Sequence, residues 1–189
     1  MAFDHNDHYH RALLRLAPRD GKALDVGCGT GRFARRLAAR GLEVDAVDPA
    51  PEVIEAAAPA PGVRYLHADI TDMELPQGHY AYISCLASIH HVPFGTVAAL
   101  RDALAPGGVL AILGCYPERT VTDYAWSAVA IPVNAAARLA NSGRGTASPA
   151  PVRQPEMSLE EIRQEAGVLL PGSTLRRLLF WRYLLVYRR

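Results

Sequence analysis

The chain alternates short apolar runs with segments in which apolar residues recur every three or four positions. The runs predict buried strands at Lys22 to Val26, Glu43 to Val47, Val63 to His67, Tyr80 to Leu86 and Val109 to Leu113. The helical spacing predicts helices at Asp7 to Leu16, Pro49 to Ala58 and Phe94 to Leu104, and a further helix that begins at Arg32 and is terminated by Gly41. Strands separated by helices require right-handed crossovers, so the pattern predicts an α/β fold with a parallel sheet covered on both faces.

The alternation stops after Cys115. Large residues at helical spacing predict a helix over Thr122 to Ala140, and the Gly/Pro/Ser-rich stretch from Asn141 to Pro155 is typical of a linker. Residues 116–157 are therefore interpreted as an insertion that carries one helix and a linker.

The C-terminal part returns to regular structure. Ser158-Leu-Glu-Glu is typical of a capping box and predicts a helix to Ala166 that stops at Gly167. Two β-rich runs, Thr174 to Phe180 and Arg182 to Tyr187, predict an antiparallel pair at one edge of the sheet.

Composition narrows the class of protein without naming a function. A chain of 189 residues with 50% hydrophobic and 21% charged residues fits one domain, residues 1–189. The net charge of +1 favours neither nucleic acid nor an anionic membrane as a partner. Three cysteines without a Cys-x-x-Cys pair predict no disulfide framework or zinc site, and a polar, acidic N-terminus is unlike a signal peptide, so we expect a cytoplasmic protein.

A glycine loop follows the first strand and precedes a helix. Its sequence is Asp25-Val-Gly-Cys-Gly-Thr-Gly, with glycines where a ligand must approach the main chain at the amide end of a helix. A dinucleotide and S-adenosylmethionine both present an adenosine ribose to such a loop. The dinucleotide fingerprint, counted from Gly27, needs a third glycine where Arg32 stands, so the spacing favours S-adenosylmethionine.

The pattern Asp25-x-Gly27-x-Gly29-x-Gly31 resembles motif I of the class I S-adenosylmethionine-dependent methyltransferases. From Lys22 to about Tyr187, the chain looks like a small member of the UbiE-like or type 11 group. The resemblance implies a Rossmann-like, doubly wound, mostly parallel sheet of seven strands with an antiparallel last strand and helices on both faces. It also implies S-adenosylmethionine as cofactor and S-adenosylhomocysteine as product.

The same resemblance implies roles for residues that follow the later strands. Asp48, with Pro49 beside it, matches the acidic residue that takes the ribose hydroxyls, and Asp69-Ile70 matches the pair that meets the adenine. Leu86 falls where the family offers main chain to the methionyl part. The candidate cofactor residues are Tyr9, Asp25, Gly27, Cys28, Gly29, Asp48, Pro49, Asp69, Ile70 and Leu86.

Candidates for the acceptor side are two histidines and two tyrosines. His90 and His91 resemble the family's Leu-His-His, which faces the substrate, although each could equally be a structural hydrogen-bonding histidine. A base is needed only for a hydroxyl or a protonated amine, and it contributes roughly 10²- to 10⁴-fold. Tyr116 and Tyr124 could line an acceptor pocket or simply bury the inserted helix.

The first ten residues hold three histidines and two aspartates, namely Asp4, His5, Asp7, His8 and His10. Because the rest of the chain offers no ligands at matching spacing, we expect no metal site there and interpret residues 1–21 as a helix and a solvated lid. Tyr9 is the lid residue of interest, since the family often closes an N-terminal aromatic residue over the cofactor.

The favoured hypothesis is methyl transfer by in-line displacement to a small-molecule acceptor, with residues 116–157 as the substrate cap. A binding or regulatory protein that keeps the cofactor pocket without methylating is the alternative, and Ala81 in place of the aspartate usual in relatives supports it weakly. Arg32 disfavours a third class, the NAD-dependent oxidoreductases. The fold is shared by O-, N-, C- and S-methylation, so pocket shape must choose the acceptor.

Overall fold

The structure is a computed structural model that describes residues 5–120, 123 and 154–189. Its helices are α1 (His5–Leu16), α2 (Arg32–Ala38), α3 (Pro51–Glu55), α4 (Thr96–Ala103) and α5 (Leu159–Leu169). Its strands are β1 (Lys22–Val26), β2 (Glu43–Asp48), β3 (Val63–His67), β4 (Tyr80–Leu86), β5 (Leu104–Cys115), β6 (Thr174–Leu178) and β7 (Arg182–Arg188). One turn of 3-10 helix, Ile89–His91, follows β4.

The strands form one seven-stranded sheet in the order β3-β2-β1-β4-β5-β7-β6. β1 to β5 pair in parallel, and β7 runs antiparallel to both of its neighbours. This confirms the expected α/β class with an antiparallel last strand. The last two runs form the predicted antiparallel pair at one edge of the sheet, with β6 outermost and β7 between β5 and β6. The apolar sequence of β7, from Tyr183 to Val186, suits a strand with neighbours on both sides.

Helices pack on both faces of the sheet. One face carries α1 and α2, whose Leu13, Phe33 and Leu37 share a core with side chains of β1, β2 and β5. The other face carries α4 and α5, which contribute Leu100 and Ile162 to a second core. Chain order reverses between β1 and β4, so the carboxyl ends of these two strands form the crevice in which such sheets bind ligands.

Several predicted helix ends are wrong, and among them the start of α4 is Thr96 instead of Phe94. α3 ends at Glu55 instead of Ala58. α5 continues through Gly167 to Leu169, because Gly167 keeps helical geometry and the left-handed glycine of this turn is Gly172, with φ +82°. The capping box itself is present: Ser158 Oγ accepts from the Glu161 amide, and Glu161 Oε2 accepts from the Ser158 amide at 2.7 Å.

Most of the predicted insertion, residues 121–122 and 124–153, lies outside the described part of the chain. The predicted helix from Thr122 to Ala140, including Tyr124, falls there except for Asp123. Within residues 5–120 and 154–189, none of the helices has the length and apolar character needed to cross a membrane.

Candidate cofactor and acceptor site

The glycine loop closes against the neighbouring strand β2. The amides of Gly27 and Cys28 both donate to the Val47 carbonyl, at 2.8 and 3.0 Å. Gly27, Gly29 and Gly31 all have positive φ, at +68°, +56° and +73°, which is the left-handed region that favours glycine. The loop is therefore held in a defined conformation at the carboxyl end of β1.

The three glycines differ in what lies beside them. A Cβ atom at Gly27 would overlap the Ser88 side chain, and one at Gly31 would overlap the Tyr65 ring. At Gly29 no atom lies within 4 Å of the Cβ position. The outer two glycines are thus required by packing within the protein, and only the middle one leaves open space against the main chain.

Asp48, at the end of β2, forms a hydrogen bond with the glycine loop. Its Oδ2 accepts from the Gly29 amide at 2.9 Å and its Oδ1 accepts from the Ala50 amide at 3.0 Å. Pro49 beside it is exposed, and its carbonyl is hydrogen-bonded to His67 Nε2 at 3.0 Å. A carboxylate has about four acceptor positions, so Asp48 can accept further bonds, such as those from ribose hydroxyls.

Asp25 is a buried carboxyl group with one unsatisfied oxygen. It is 1% exposed, and Oδ1 accepts from Ser84 Oγ at 2.7 Å. Oδ2 is also buried and has no hydrogen-bond partner among the described residues. Burial raises the pKa of Asp25 to about 7, with the Ser84 hydrogen bond opposing the rise. A cationic ligand group near this oxygen would stabilise its charged form.

The two residues predicted to meet the adenine follow β3 and differ in their exposure. Asp69 is exposed, and its Oδ1 accepts from the amide and the hydroxyl of Thr71 at 2.9 and 2.7 Å. These two bonds lower the pKa of Asp69. The Ile70 side chain is 7% exposed and packs in the core. Asp69 is the member of the pair that stays accessible at the carboxyl edge.

The segment after β4 packs against the glycine loop. Leu86 ends the strand, and Ala87 takes a left-handed φ of +53° while its amide donates to the Leu113 carbonyl at 2.7 Å. Ser88 Oγ then donates to the Val26 carbonyl at 2.6 Å, which places this side chain against Gly27. Sequence reasoning missed Ser88, because a serine after a strand carries no signal that distinguishes it from an ordinary turn residue.

A cavity of about 260 Å³ lies beside the residues that follow Ser88, starting with Ile89 in its wall. His90 lies in its wall, and the rest of the wall is mostly apolar, including Ile89, Val92, Phe94, Met157 and Ile162. Among the described residues, His91 does not line the cavity. The centre of its ring lies 4.3 Å from the centre of the His90 ring, at an interplanar angle of 42°. Of the two predicted histidines, His90 is the one that faces the cavity.

One face of α1 is packed against the protein, so the expectation of a solvated segment is wrong at His10. His10 is 3% exposed and its ring lies 4.8 Å from that of Phe33, because it belongs to the buried face of α1. Asp7 forms an ion pair with Arg32 at the start of α2. The described residues contain no cluster of three or more metal-ligating side chains.

Tyr9 contacts the β6–β7 turn. Its hydroxyl donates to the Leu179 carbonyl at 3.0 Å, and burial raises its pKa to about 12. Tyr116 is 3% exposed, with the Arg177 guanidinium 5.4 Å from its ring centre, and it is not among the described residues of the cavity wall. Tyr116 therefore acts in packing here, and Tyr124 lies outside the described residues.

Known proteins resemble this chain in sequence and in fold. Residues 23–108 match the model of a methyltransferase domain family. An uncharacterised methyltransferase of Mycobacterium tuberculosis is 35% identical over 97% of this chain and 95% of its own length. A ubiquinone biosynthesis O-methyltransferase of Xanthomonas axonopodis pv. citri is 35% identical over 51% of this chain and 44% of its own.

Among solved structures, phosphoethanolamine N-methyltransferase 2 of Haemonchus contortus, in complex with S-adenosyl-L-methionine, has a similar fold with a TM-score of 0.66. The match covers 90% of this chain and 38% of that chain at 20% identity. The fold and the glycine loop are those of a class I S-adenosylmethionine-dependent methyltransferase. With the near full-length mycobacterial relative, the chain belongs to the methyltransferase domain family.

The described residues fit the cofactor of this class, S-adenosylmethionine. The open space at Gly29 admits a ligand against the main chain, and Asp48 beside it offers acceptors for hydroxyl groups. The unsatisfied Asp25 Oδ2 offers a partner for a cationic group such as the methionyl ammonium. These features lie together at the crevice between β1, β2 and β4.

Proposed function

We propose that this protein transfers a methyl group from S-adenosylmethionine to a small-molecule acceptor that binds in the cavity beside His90. The proposal rests mainly on the contact between Ser88 and the Gly27 loop. The next two residues of the chain, Ile89 and His90, line the cavity, so the cofactor crevice and the cavity are adjacent. A volume of about 260 Å³ suits a small molecule better than a segment of a macromolecule.

When bound, S-adenosylmethionine supplies a methyl group on a sulfonium, which in-line displacement can transfer. The protein's main contribution is therefore proximity and orientation. Asp48 and Gly29 hold the ribose side of the crevice, and Asp25 holds a positive charge. His90 accepts the proton that a hydroxyl acceptor loses, and the His91 ring beside it restricts how the His90 ring can turn.

Residues 1–21 are proposed to form the lid on the cofactor side. The Asp7–Arg32 ion pair holds α1 beside the helix that follows the glycine loop. The Tyr9–Leu179 hydrogen bond ties the same helix to the β6–β7 turn. Both contacts support a role for α1 at the carboxyl edge, where the cofactor binds.

Binding and transfer are tested separately. We expect calorimetry to detect binding of S-adenosylmethionine and of S-adenosylhomocysteine to the purified protein. Incubation with radiolabelled S-adenosylmethionine and a panel of phenols, amines and thiols should then label at least one acceptor, and His90→Ala should reduce transfer to hydroxyl acceptors by roughly 10²-fold or more. Cofactor binding without transfer to any member of the panel would favour the regulatory alternative, and no cofactor binding would refute both.

A further inference from the structure

Arg35 of α2 binds the glycine loop through both its main chain and its side chain. Its amide donates to the Gly31 carbonyl at 3.0 Å, and its Nη1 donates to the Thr30 carbonyl at 2.6 Å. The first bond is the ordinary helical one, and only the second depends on the arginine side chain. A hydrogen bond from a charged donor is stronger than one between neutral groups. The Arg35 side chain therefore fixes the peptide group between Thr30 and Gly31, next to the open space at Gly29.

Tyr65 of β3 contacts both the arginine and the loop. The same Nη1 of Arg35 donates to the Tyr65 hydroxyl oxygen at 3.2 Å, and this hydroxyl donates in turn to the Ala58 carbonyl at 3.1 Å. A Cβ atom at Gly31 would overlap the Tyr65 ring, so the ring fills the position that a side chain would take there. Tyr65 thus supports the loop directly at Gly31 and through the guanidinium at Thr30.

The contacts return to the loop through α3. Ala58 follows this helix, and Ala50, directly before it, donates its amide to Asp48 Oδ1 at 3.0 Å. Asp48 Oδ2 accepts from the Gly29 amide at 2.9 Å. The loop therefore has two supports, Asp48 at Gly29 and the arginine–tyrosine pair at the next residue, and α3 connects them.

Resting on the proposed function, we propose that Arg35 and Tyr65 are positioning residues that hold the glycine loop in its binding conformation before S-adenosylmethionine arrives. Glycine stands at every second position from 27 to 31, and glycine loses more conformational freedom on ordering than any other residue. Without support, only a fraction of the molecules would hold the loop in the conformation that binds, and the apparent dissociation constant rises as that fraction falls. Loss of the pair therefore weakens cofactor affinity, and bound cofactor orders the loop again.

The first test is the affinity of purified variants for S-adenosylhomocysteine, measured by calorimetry. Arg35→Ala should raise the dissociation constant roughly tenfold, and Tyr65→Phe, which removes one hydroxyl, roughly two- to tenfold. Arg35→Lys keeps a charged donor without the planar fork and should recover part of the affinity. Because both side chains act through the same support, adding Tyr65→Phe to Arg35→Ala should weaken binding by less than about twofold further.

Two control variants remove the same atoms elsewhere. Arg36→Ala changes the exposed neighbour on α2. Tyr80→Phe removes a hydroxyl that donates to Asp45 Oδ2 at 3.0 Å, at the amino end of β4 and so at the opposite end of the sheet from the crevice. Both controls should bind S-adenosylhomocysteine like the wild type, even where Tyr80→Phe lowers the midpoint of thermal unfolding.

Amide hydrogen exchange of the loop separates positioning from a general effect on stability. In the cofactor-free protein, the amides of Gly29 and Gly31 should exchange faster in Tyr65→Phe than in the wild type or Tyr80→Phe, and saturating S-adenosylhomocysteine should restore their protection. The positioning proposal is overturned if Tyr65→Phe and Arg35→Ala bind as tightly as their controls, or if loop exchange is unchanged in Tyr65→Phe. Absence of S-adenosylhomocysteine binding by the wild type would instead count against the proposed function itself.

Discussion

At the scale of single residues, Gly29 differs from its neighbours because only the main chain and open space surround it. Gly29→Ala should cost about 1–2 kcal/mol of folding stability, since an L-residue resists a φ of +56°. The new methyl group would also enter the open space in which we propose that the cofactor binds. We therefore expect its affinity for S-adenosylmethionine, measured by calorimetry, to fall at least tenfold.

Gly172→Ala is the matched control for this substitution. Gly172 also has a positive φ, of +82°, and open space at its Cβ position, but it lies in the turn between α5 and β6. The two variants should lose similar stability in thermal unfolding, while only the Gly29 variant loses cofactor affinity. Equal affinities in the two variants would show that the open space at Gly29 is not used by the ligand.

The raised pKa of Asp25 leads us to expect that folding stability decreases as the pH rises towards neutrality. Its folded-state pKa of about 7 lies above the ordinary value of 3.8, so between these values the folded state holds a proton that the unfolded state has released. This contribution is present at low pH and is lost as pH rises towards 7, at about 1.4 kcal/mol per pH unit within the window. Above pH 7 it no longer changes.

Asp25→Asn isolates this contribution, because the amide keeps an oxygen for Ser84 and cannot ionise. Thermal unfolding of the cofactor-free protein from pH 5 to pH 8 should show the wild type losing stability relative to the variant as pH rises. Parallel curves for the two proteins would mean that Asp25 titrates normally in the folded state.

At the scale of elements, α5 depends on its first turn. Ser158→Ala removes the side chain that accepts from the Glu161 amide and breaks the capping box. The expected cost is about 1 kcal/mol, which lowers the midpoint of thermal unfolding by roughly 2–4 °C in a protein of this size. Ser173→Ala is the control, since the Ser173 hydroxyl makes no hydrogen bond within the described residues. A midpoint shift of the same size in both variants would contradict a specific role for the cap.

The β6–β7 hairpin shows what an element-level pattern misses. Phe180 and Trp181 have φ of +61° and +57°, although neither residue type favours the left-handed region. Phe180 is 2% exposed and its ring lies 5.6 Å from that of His8 on α1. This turn is stabilised by packing against a helix that is distant in sequence, and the local sequence gives no sign of it. The predicted strand therefore ran to Phe180, whereas β6 ends at Leu178.

At the scale of the whole molecule, the site depends on strand order. Asp25, Asp48 and Ser84 are far apart along the chain, and they meet because β2 and β4 both flank β1. The parallel direction of these strands brings their carboxyl ends to one crevice. Tyr183 reaches the cavity wall from β7, since this strand lies between β5 and β6 in the sheet.

The sequence by itself determined the alternation of strands and helices, the glycine loop and the carboxylates after successive strands, because hydrophobic periodicity and glycine conformation are local properties. Only the tertiary structure decided that Gly29 faces open space and that His90 lines the cavity. These properties depend on what lies opposite each residue across strands and helices. The glycine spacing identifies the cofactor class, and the proposed acceptor site depends on contacts that the sheet creates.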